Sequence, residues 1–400
     1  MKRRIKIDIL RLYIVFVSII TLGGVANMFT IIRFYYLSTI AICIYLIYKD
    51  KIVLSHKLLR IVASIIIGAI LSAFITDTGL AYYRNIVLTS LIAYLVISSF
   101  NYDYSKLREY IYIVCRIICV LGLINFVLFL IIPDSFVEVT NESNGYSVNT
   151  ILYLFNYSHH TYHLFTRNQS VFWEPGVFQL VLNIHLFDIL VERKEKFKKA
   201  VLPMALIVTT FSTTGLLIMT LIFAYWLLAI KKVRSLSSLL IGCVFAVALI
   251  PVVIDNVKEK VDDSNQSAAM RAFDYYMGIE IIKSYPLFGV GMDPENYYKK
   301  TKGVDIGKYD ISTFDIERNN TNTFIGIATK FGLPVLFLFI FALYKQQIYK
   351  SNRIFFFILS IGLLSEPLFD LPFMIIICLS SVKLHFNNRR QLLIVENNGV

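Results

Sequence analysis

The stretch YIYIVCRIICVLGLINFVLFLII, from Tyr110 to Ile132, decides the class of the fold. It carries one charge, Arg116, and stops at Pro133. As a helix it is long enough to cross a hydrocarbon core of about 30 Å. Comparable runs recur at Leu10 to Met28, Phe34 to Tyr48, Leu58 to Ile75, Tyr83 to Ser99, Gly176 to Leu190, Leu236 to Ile254 and Thr321 to Tyr344. Phe355 to Lys383 reads as two further passes hinged around Pro367 to Pro372. The chain is 57% hydrophobic and only 16% charged, against about a quarter charged in soluble domains. The expectation is an all-α polytopic membrane protein, one integral membrane domain over 1–400. It has about twelve transmembrane helices and two large outer loops, 133–173 and 255–320.

The stretch Val201 to Ile230 is too long for one upright helix and short for two. Basic clusters flank it on both sides, so it must pass twice or re-enter, turning at Ser212-Thr213-Thr214-Gly215. Polar interruptions at membrane depth usually line a cavity, because backbone groups there need partners.

The net charge of +12 lies in short connections: Lys2, Arg3, Arg4 and Lys6; Lys49, Lys51, Lys57 and Arg60; Arg193 to Lys199; Lys231, Lys232 and Arg234; Lys345, Lys350 and Arg353; Arg389 and Arg390. This is the distribution that orients a membrane protein, with those segments and both termini cytoplasmic. It gives no reason to expect nucleic acid as a partner. The five cysteines all sit in apolar runs without metal spacing, so neither a disulfide framework nor a zinc site is expected. No phosphate-binding glycine loop or zinc-protease motif is present. His159, His160 and His163 suggest metal by proximity, but a polar outer loop explains them as well.

Polar residues that interrupt the pattern are the candidates for chemistry. In Arg167-Asn168-Gln169-Ser170-Val171-Phe172-Trp173-Glu174-Pro175-Gly176-Val177-Phe178-Gln179, Pro175 suits a first helical turn and Glu174 its cap. Such an end also favours phosphate oxygens. Trp173 suits the membrane interface. Gly176, Gln179 and Asn183 share a helix face, and intramembrane polar groups usually have a function. Glu174 could equally be a plain helix cap paired with Arg167.

In the second loop, Ala268 to Lys283 reads as an amphipathic helix with Met270, Phe273, Met277 and Ile281 on one face. It carries Arg271. Together with Arg84 and Arg318 it puts guanidinium groups on the outside, against the charge rule. Their forks fit phosphate and pyrophosphate, although Asp274 or Glu317 could pair with them instead. Glu366 and Asp370, four apart, would share a helix face. Glu366 would lie roughly 18 Å along its helix at 1.5 Å per residue, deep enough to need a cavity or partner.

These residues resemble the O-antigen polymerase and O-antigen ligase superfamily. The resemblance rests on Phe172-Trp173-Glu174-Pro175-Gly176-Val177-Phe178 and on Ser212-Thr213-Thr214-Gly215. It rests also on Arg271 followed by Tyr285-Pro286-Leu287-Phe288-Gly289-Val290-Gly291, Asn322-Thr323-Phe324 and Gly332-Leu333-Pro334. It implies glycosyl transfer between polyprenyl-pyrophosphate-linked glycans on the outer face of the bacterial inner membrane. Arg271 and Arg167 would hold the pyrophosphate, with Glu174 as the acceptor base. Substrate contacts would come from Arg84, Trp173, Gln179, Arg318, Asn322, Glu366 and Asp370. No cofactor or metal is implied. Membrane lipid is a partner, and a chain-length regulator and a flippase are candidate partners. Ligases tend to carry His before the late Asn, whereas Thr321 precedes Asn322 here, which favours polymerase. A ligase acting on lipid A–core is the alternative. A flippase or other transporter would show paired halves and smaller loops.

Overall fold

The computed structural model describes residues 7–25, 31–141, 146–162, 165–231, 266–301 and 320–384. The chain builds a helical bundle from α1 (Ile9–Ile20), α2 (Ile31–Lys49), α3 (His56–Ile75), α4 (Arg84–Ser99), α5 (Tyr104–Ile131), α6 (Pro175–Phe187), α7 (Val201–Thr209) and α8 (Thr213–Tyr225). Next come α9 (Gln266–Ser284), α10 (Pro294–Thr301), α11 (Thr323–Phe331), α12 (Leu333–Lys345), α13 (Asn352–Leu363) and α14 (Pro372–Leu379). Among the described residues, six helices are long and apolar enough to cross a membrane. They run over Ile32–Lys49, His56–Ile75, Leu80–Ser99, Tyr104–Ile131, Pro175–Glu192 and Thr213–Ile230. The chain is thus a mostly helical integral membrane protein.

About twelve spans were expected, and two of the expected runs are cut short or broken for local reasons. The first helix stops at Ile20 because the chain leaves it to pair elsewhere: Gly24 bridges Phe172, and the Trp173 N–H donates to Gly23 O at 2.7 Å. The run from Thr321 to Tyr344 breaks at Gly332, which has φ +84°. The run from Phe355 to Lys383 divides between Leu363 and Pro372, where the hinge around Pro367 to Pro372 was expected. The expected span Leu236 to Ile254 lies outside the described residues.

α6 lies at the centre. The window Pro175–Glu192 is 89% buried, against 22–44% for the other spanning windows. Its polar side chains Gln179, Asn183 and His185 would be costly facing lipid, so this helix is covered by protein. α7 and α8 pack on one flank of α6, α5 and α13 on others.

The segment 133–173 is not plain loop. It folds into an antiparallel meander, β1 (Val137–Asn141), β2 (Tyr146–Ile151), β3 (Phe155–Tyr162) and β4 (Phe165–Asn168), in the order β1-β2-β3-β4. An all-α chain was expected, and this sheet is a correction to it. The alternation Val137-Glu138-Val139-Thr140 is the strand pattern. The sheet is anchored by tilted and edge-on aromatic contacts, the Tyr157 ring centroid lying 4.9 Å from that of Phe129 on α5 and 5.1 Å from that of Phe136. The buried Asn125 side chain also donates to Asn156 O at 2.9 Å.

α9 packs on α11 at Gly278, where a Cβ would strike Ile325. Met277 and Ile281 are buried there, as is Asp274, which accepts from Thr321 N and Oγ1 at 3.0 and 2.8 Å. The turn from Pro286 to Gly291 then caps the far end of α11. Val290 N donates to Thr329 O, Gly291 N to Lys330 O and Leu333 N to Pro286 O, at 2.8, 3.1 and 2.8 Å. Those last carbonyls of α11 would otherwise be orphaned at the break.

Candidate functional site

Glu366 and Asp370 do not share a helix face. Both lie in the connection between α13 and α14. Pro367 explains this, since a residue before proline is driven out of the helical region. Pro372 then restarts the helix at a position where its missing N–H costs nothing.

That connection is a hub. Asn85 Nδ2, at the start of α4, donates to Asp370 Oδ2 at 3.0 Å. Thr214, at the start of α8, shares a hydrogen bond with Ser365 at 3.1 Å. Thr323 Oγ1, at the start of α11, donates to Glu366 O and accepts from Leu368 N at 2.9 Å. The Glu366 carboxylate lies against Gly176 in the first turn of α6, where no Cβ could fit. α14 begins within the same connection. Five helix N-terminal regions therefore meet around one loop, each carrying a partial positive charge from its helix dipole. Such a convergence offsets the cost of a buried carboxylate, and Glu366 is only 4% exposed.

Glu174 is the N-cap of α6, in extended conformation, but its side chain makes no capping bond. It is exposed. Nearby, Arg167 Nε donates to Thr210 O at 3.0 Å, tying β4 to the turn between α7 and α8. That turn runs through Phe211 at φ +48°, and Ser212 caps α8 by accepting from Gly215 N. The Trp173 indole packs on Gly23, where a Cβ would lie 2.6 Å from Nε1.

Gln179 and Asn183 form the polar stripe expected on α6, and both are fully buried. Asn183 Nδ2 donates to Gln179 Oε1 at 3.0 Å and to Gly215 O at 3.2 Å. Gln179 Nε2 and Asn183 Oδ1 have no partner among the described residues, and neither does the side chain of the fully buried Gln169. Unsatisfied amides of this kind are rare in native interiors and call for a polar partner.

Arg84 is exposed at the start of α4, next to the Asn85 that holds Asp370. Asn322 uses its side chain as the cap of α11, accepting from Phe324 N and Ile325 N at 2.9 and 3.2 Å. The backbone of Arg271 lies in α9; its side chain, all of Arg318 and the side chains of His159, His160 and His163 fall outside the described residues. Sequence reasoning missed Ser365 and Asn85, and quoted Thr323 only within Asn322-Thr323-Phe324 without a role. Each is a small polar residue at a helix boundary, and only the tertiary contact with the hub marks it.

Comparison with known proteins gives one family finding. Residues 200–364 match the model of the O-antigen ligase family. The search of curated proteins gives no match. The matched stretch includes Thr214 and Thr323 and ends just before Ser365, so it supplies two of the helix starts at the hub. From 200 to 364 the chain is similar to the O-antigen ligase family, a match consistent with the superfamily its sequence resembles.

Proposed function

We propose that this protein is a glycosyltransferase that joins polyprenyl-pyrophosphate-linked oligosaccharide units into an O-antigen or capsular polysaccharide on the outer face of the inner membrane. The observation that carries this reading is the meeting of five helix N-termini at the hub beside Glu174 and Arg167. A leaving pyrophosphate develops charge as its bond to the sugar breaks. Fixed dipoles and guanidinium groups aimed at that position stabilise it without reorganisation.

In the proposed reaction, an acceptor hydroxyl oxygen bonds to the anomeric carbon of the donor. The bond from that carbon to the pyrophosphate oxygen breaks, and polyprenyl pyrophosphate leaves with the electron pair. Glu174 takes the hydroxyl proton; it is exposed and uncommitted to capping, as a base facing substrate must be. Arg167 and Arg271 hold the pyrophosphate, assisted by Arg84 and Arg318. Glu366 and Asp370 act indirectly, by fixing the hub against α6 and α4. Because the leaving group is good, positioning supplies much of the rate. In this orientation the sheet and the hub face outward, and the basic connections face the cytoplasm.

The ligase reading shares every element except the acceptor. Thr321 before Asn322, in place of His, favours polymerase. The test is direct. Purified protein in nanodiscs receives a polyprenyl-pyrophosphate repeat unit without nucleotide or metal. A ladder of regularly spaced glycans is the expected result. Transfer only after lipid A–core is added would make it a ligase, and no product from folded protein with verified substrate would reject both.

A further inference from the structure

At the end of the bundle opposite the hub, α8 and the α12–α13 turn enclose an open groove of about 520 Å³. It is lined by Tyr225, Tyr344, Lys345, Lys350, Ser351, Asn352, Arg353 and Ile354. Three cationic residues and two tyrosines line it, and among the described residues no carboxylate does. Among the described residues, none of the three cations has an ion-pair partner.

The turn that presents them is built rigidly. Gln346, fully buried, donates to Tyr349 O at 3.0 Å and accepts from Tyr349 N at 2.9 Å. Glu192 accepts from Lys350 N at 3.1 Å and Ser351 N at 2.6 Å, while pairing with Arg108 at 2.9 Å. Its charge is therefore spent on the scaffold and does not neutralise the groove. Charges that only orient a membrane protein can sit anywhere in a connection; here the turn that carries Lys350 is tied down by Gln346 and Glu192.

We propose that this groove binds the phosphate of an anionic phospholipid from the adjoining leaflet. Its volume falls in the range of small-molecule sites, roughly 300–1,000 Å³. The membrane source is favoured by α12. Its exposed Phe337, Leu338 and Phe341 form an apolar stripe, spaced three and four apart, that leads to Lys345. The Lys345 ammonium sits 5.9 Å from the Phe341 ring centroid and 5.4 Å from that of Tyr344. An acyl chain along the stripe brings its headgroup to the cations. This site is independent of the transfer reaction proposed above.

The test uses the full chain in nanodiscs of mixed phosphatidylglycerol and phosphatidylcholine, with retained lipid counted by native mass spectrometry. Wild type should retain phosphatidylglycerol selectively. The variant Lys345→Gln/Lys350→Gln/Arg353→Gln should lose that preference on the order of a hundredfold, since each cation near a membrane surface contributes about fivefold. A photoactivatable phosphatidylglycerol on wild type, which needs no variant, should crosslink to peptides containing Tyr225, Tyr344 or residues 350–354. Crosslinks only elsewhere, or an unchanged preference in the triple variant, would overturn the site. Displacement of the lipid by millimolar inorganic phosphate would reassign the groove to a soluble phosphate compound and reject the lipid.

Discussion

Gly176 and Glu366 occupy one space, and that decides what substitution does there. A methyl group at 176 cannot coexist with the carboxylate where it lies. We expect Gly176→Ala to displace Glu366 and lower glycan transfer about a hundredfold, the usual cost of misplacing a site by about 1 Å. The helix itself tolerates alanine, so the protein should still fold, and thermal unfolding in detergent checks that. Glu174 gives the opposite signature. Because its side chain makes no capping bond, Glu174→Gln should leave the melting temperature nearly unchanged. Transfer should nevertheless fall by roughly 10²–10⁴, the range of general-base losses; wild-type transfer in that variant would remove its assigned role. Glu174 was legible from Glu-Pro-Gly alone. The place of Glu366 was not, because reading it on a helix ignored what Pro367 does to the residue before it.

Helix breaks, more than helix lengths, distinguish the elements of this bundle. The break at Gly332 has φ +84° and ψ 171°, a region essentially closed to side-chain-bearing residues. A Cβ there would also meet the Leu287 carbonyl. We expect Gly332→Ala to cost at least about 1–3 kcal/mol and to loosen the Pro286–Gly291 turn from α11, measurable as a drop in melting temperature and faster amide exchange in that turn. Several expected spans agree with the observed helices within a few residues: Leu58 to Ile75 against His56–Ile75, and Gly176 to Leu190 against Pro175–Glu192. Apolar length is a strong local signal, since backbone groups in lipid must be satisfied within the segment. The sheet was missed because its strands are short and only the first alternates cleanly, and part of its apolar cover comes from Phe129 of α5. No window within 133–173 contains that partner.

The whole molecule has two ends with different electrostatics. The basic end is clamped by ion pairs: Arg108 with Glu192, Arg193 with Glu109 and Asp188, and Lys199 with Glu195. Burial works against the Glu195 charge, but Lys199 at 2.9 Å and the Tyr112 hydroxyl at 3.0 Å outweigh it and hold the carboxyl below the ordinary 4.5. A value depressed by folding means stability that is present at neutral pH and lost as pH falls through the folded value. Glu195→Gln should therefore lower the melting temperature at pH 7, and its difference from wild type should close at pH well below 4.5. The other end has five helix starts around one loop. Their convergence was invisible in the sequence, because Asn85, Gly176, Thr214, Thr323 and Glu366 come from distant parts of the chain. What sequence did supply was the list of polar residues in apolar surroundings, from which most of the hub is drawn.

The short main-chain pairing between the end of α1 and the residues before α6 sets an order on synthesis. Gly23 and Val25 are made early, but their partners, Trp173 N–H and Val171 O, emerge only after α2 to α5 and the entire sheet. Until then the end of α1 has unsatisfied backbone groups, which are expensive in lipid. Closing so long a loop costs only slightly more entropy than closing a short one, so the delay is kinetic. A nascent chain stalled before Val171 should leave the first helix open to protease or to a membrane chaperone. Release of translation past Trp173 should fasten it, with the Glu174 cap following directly behind.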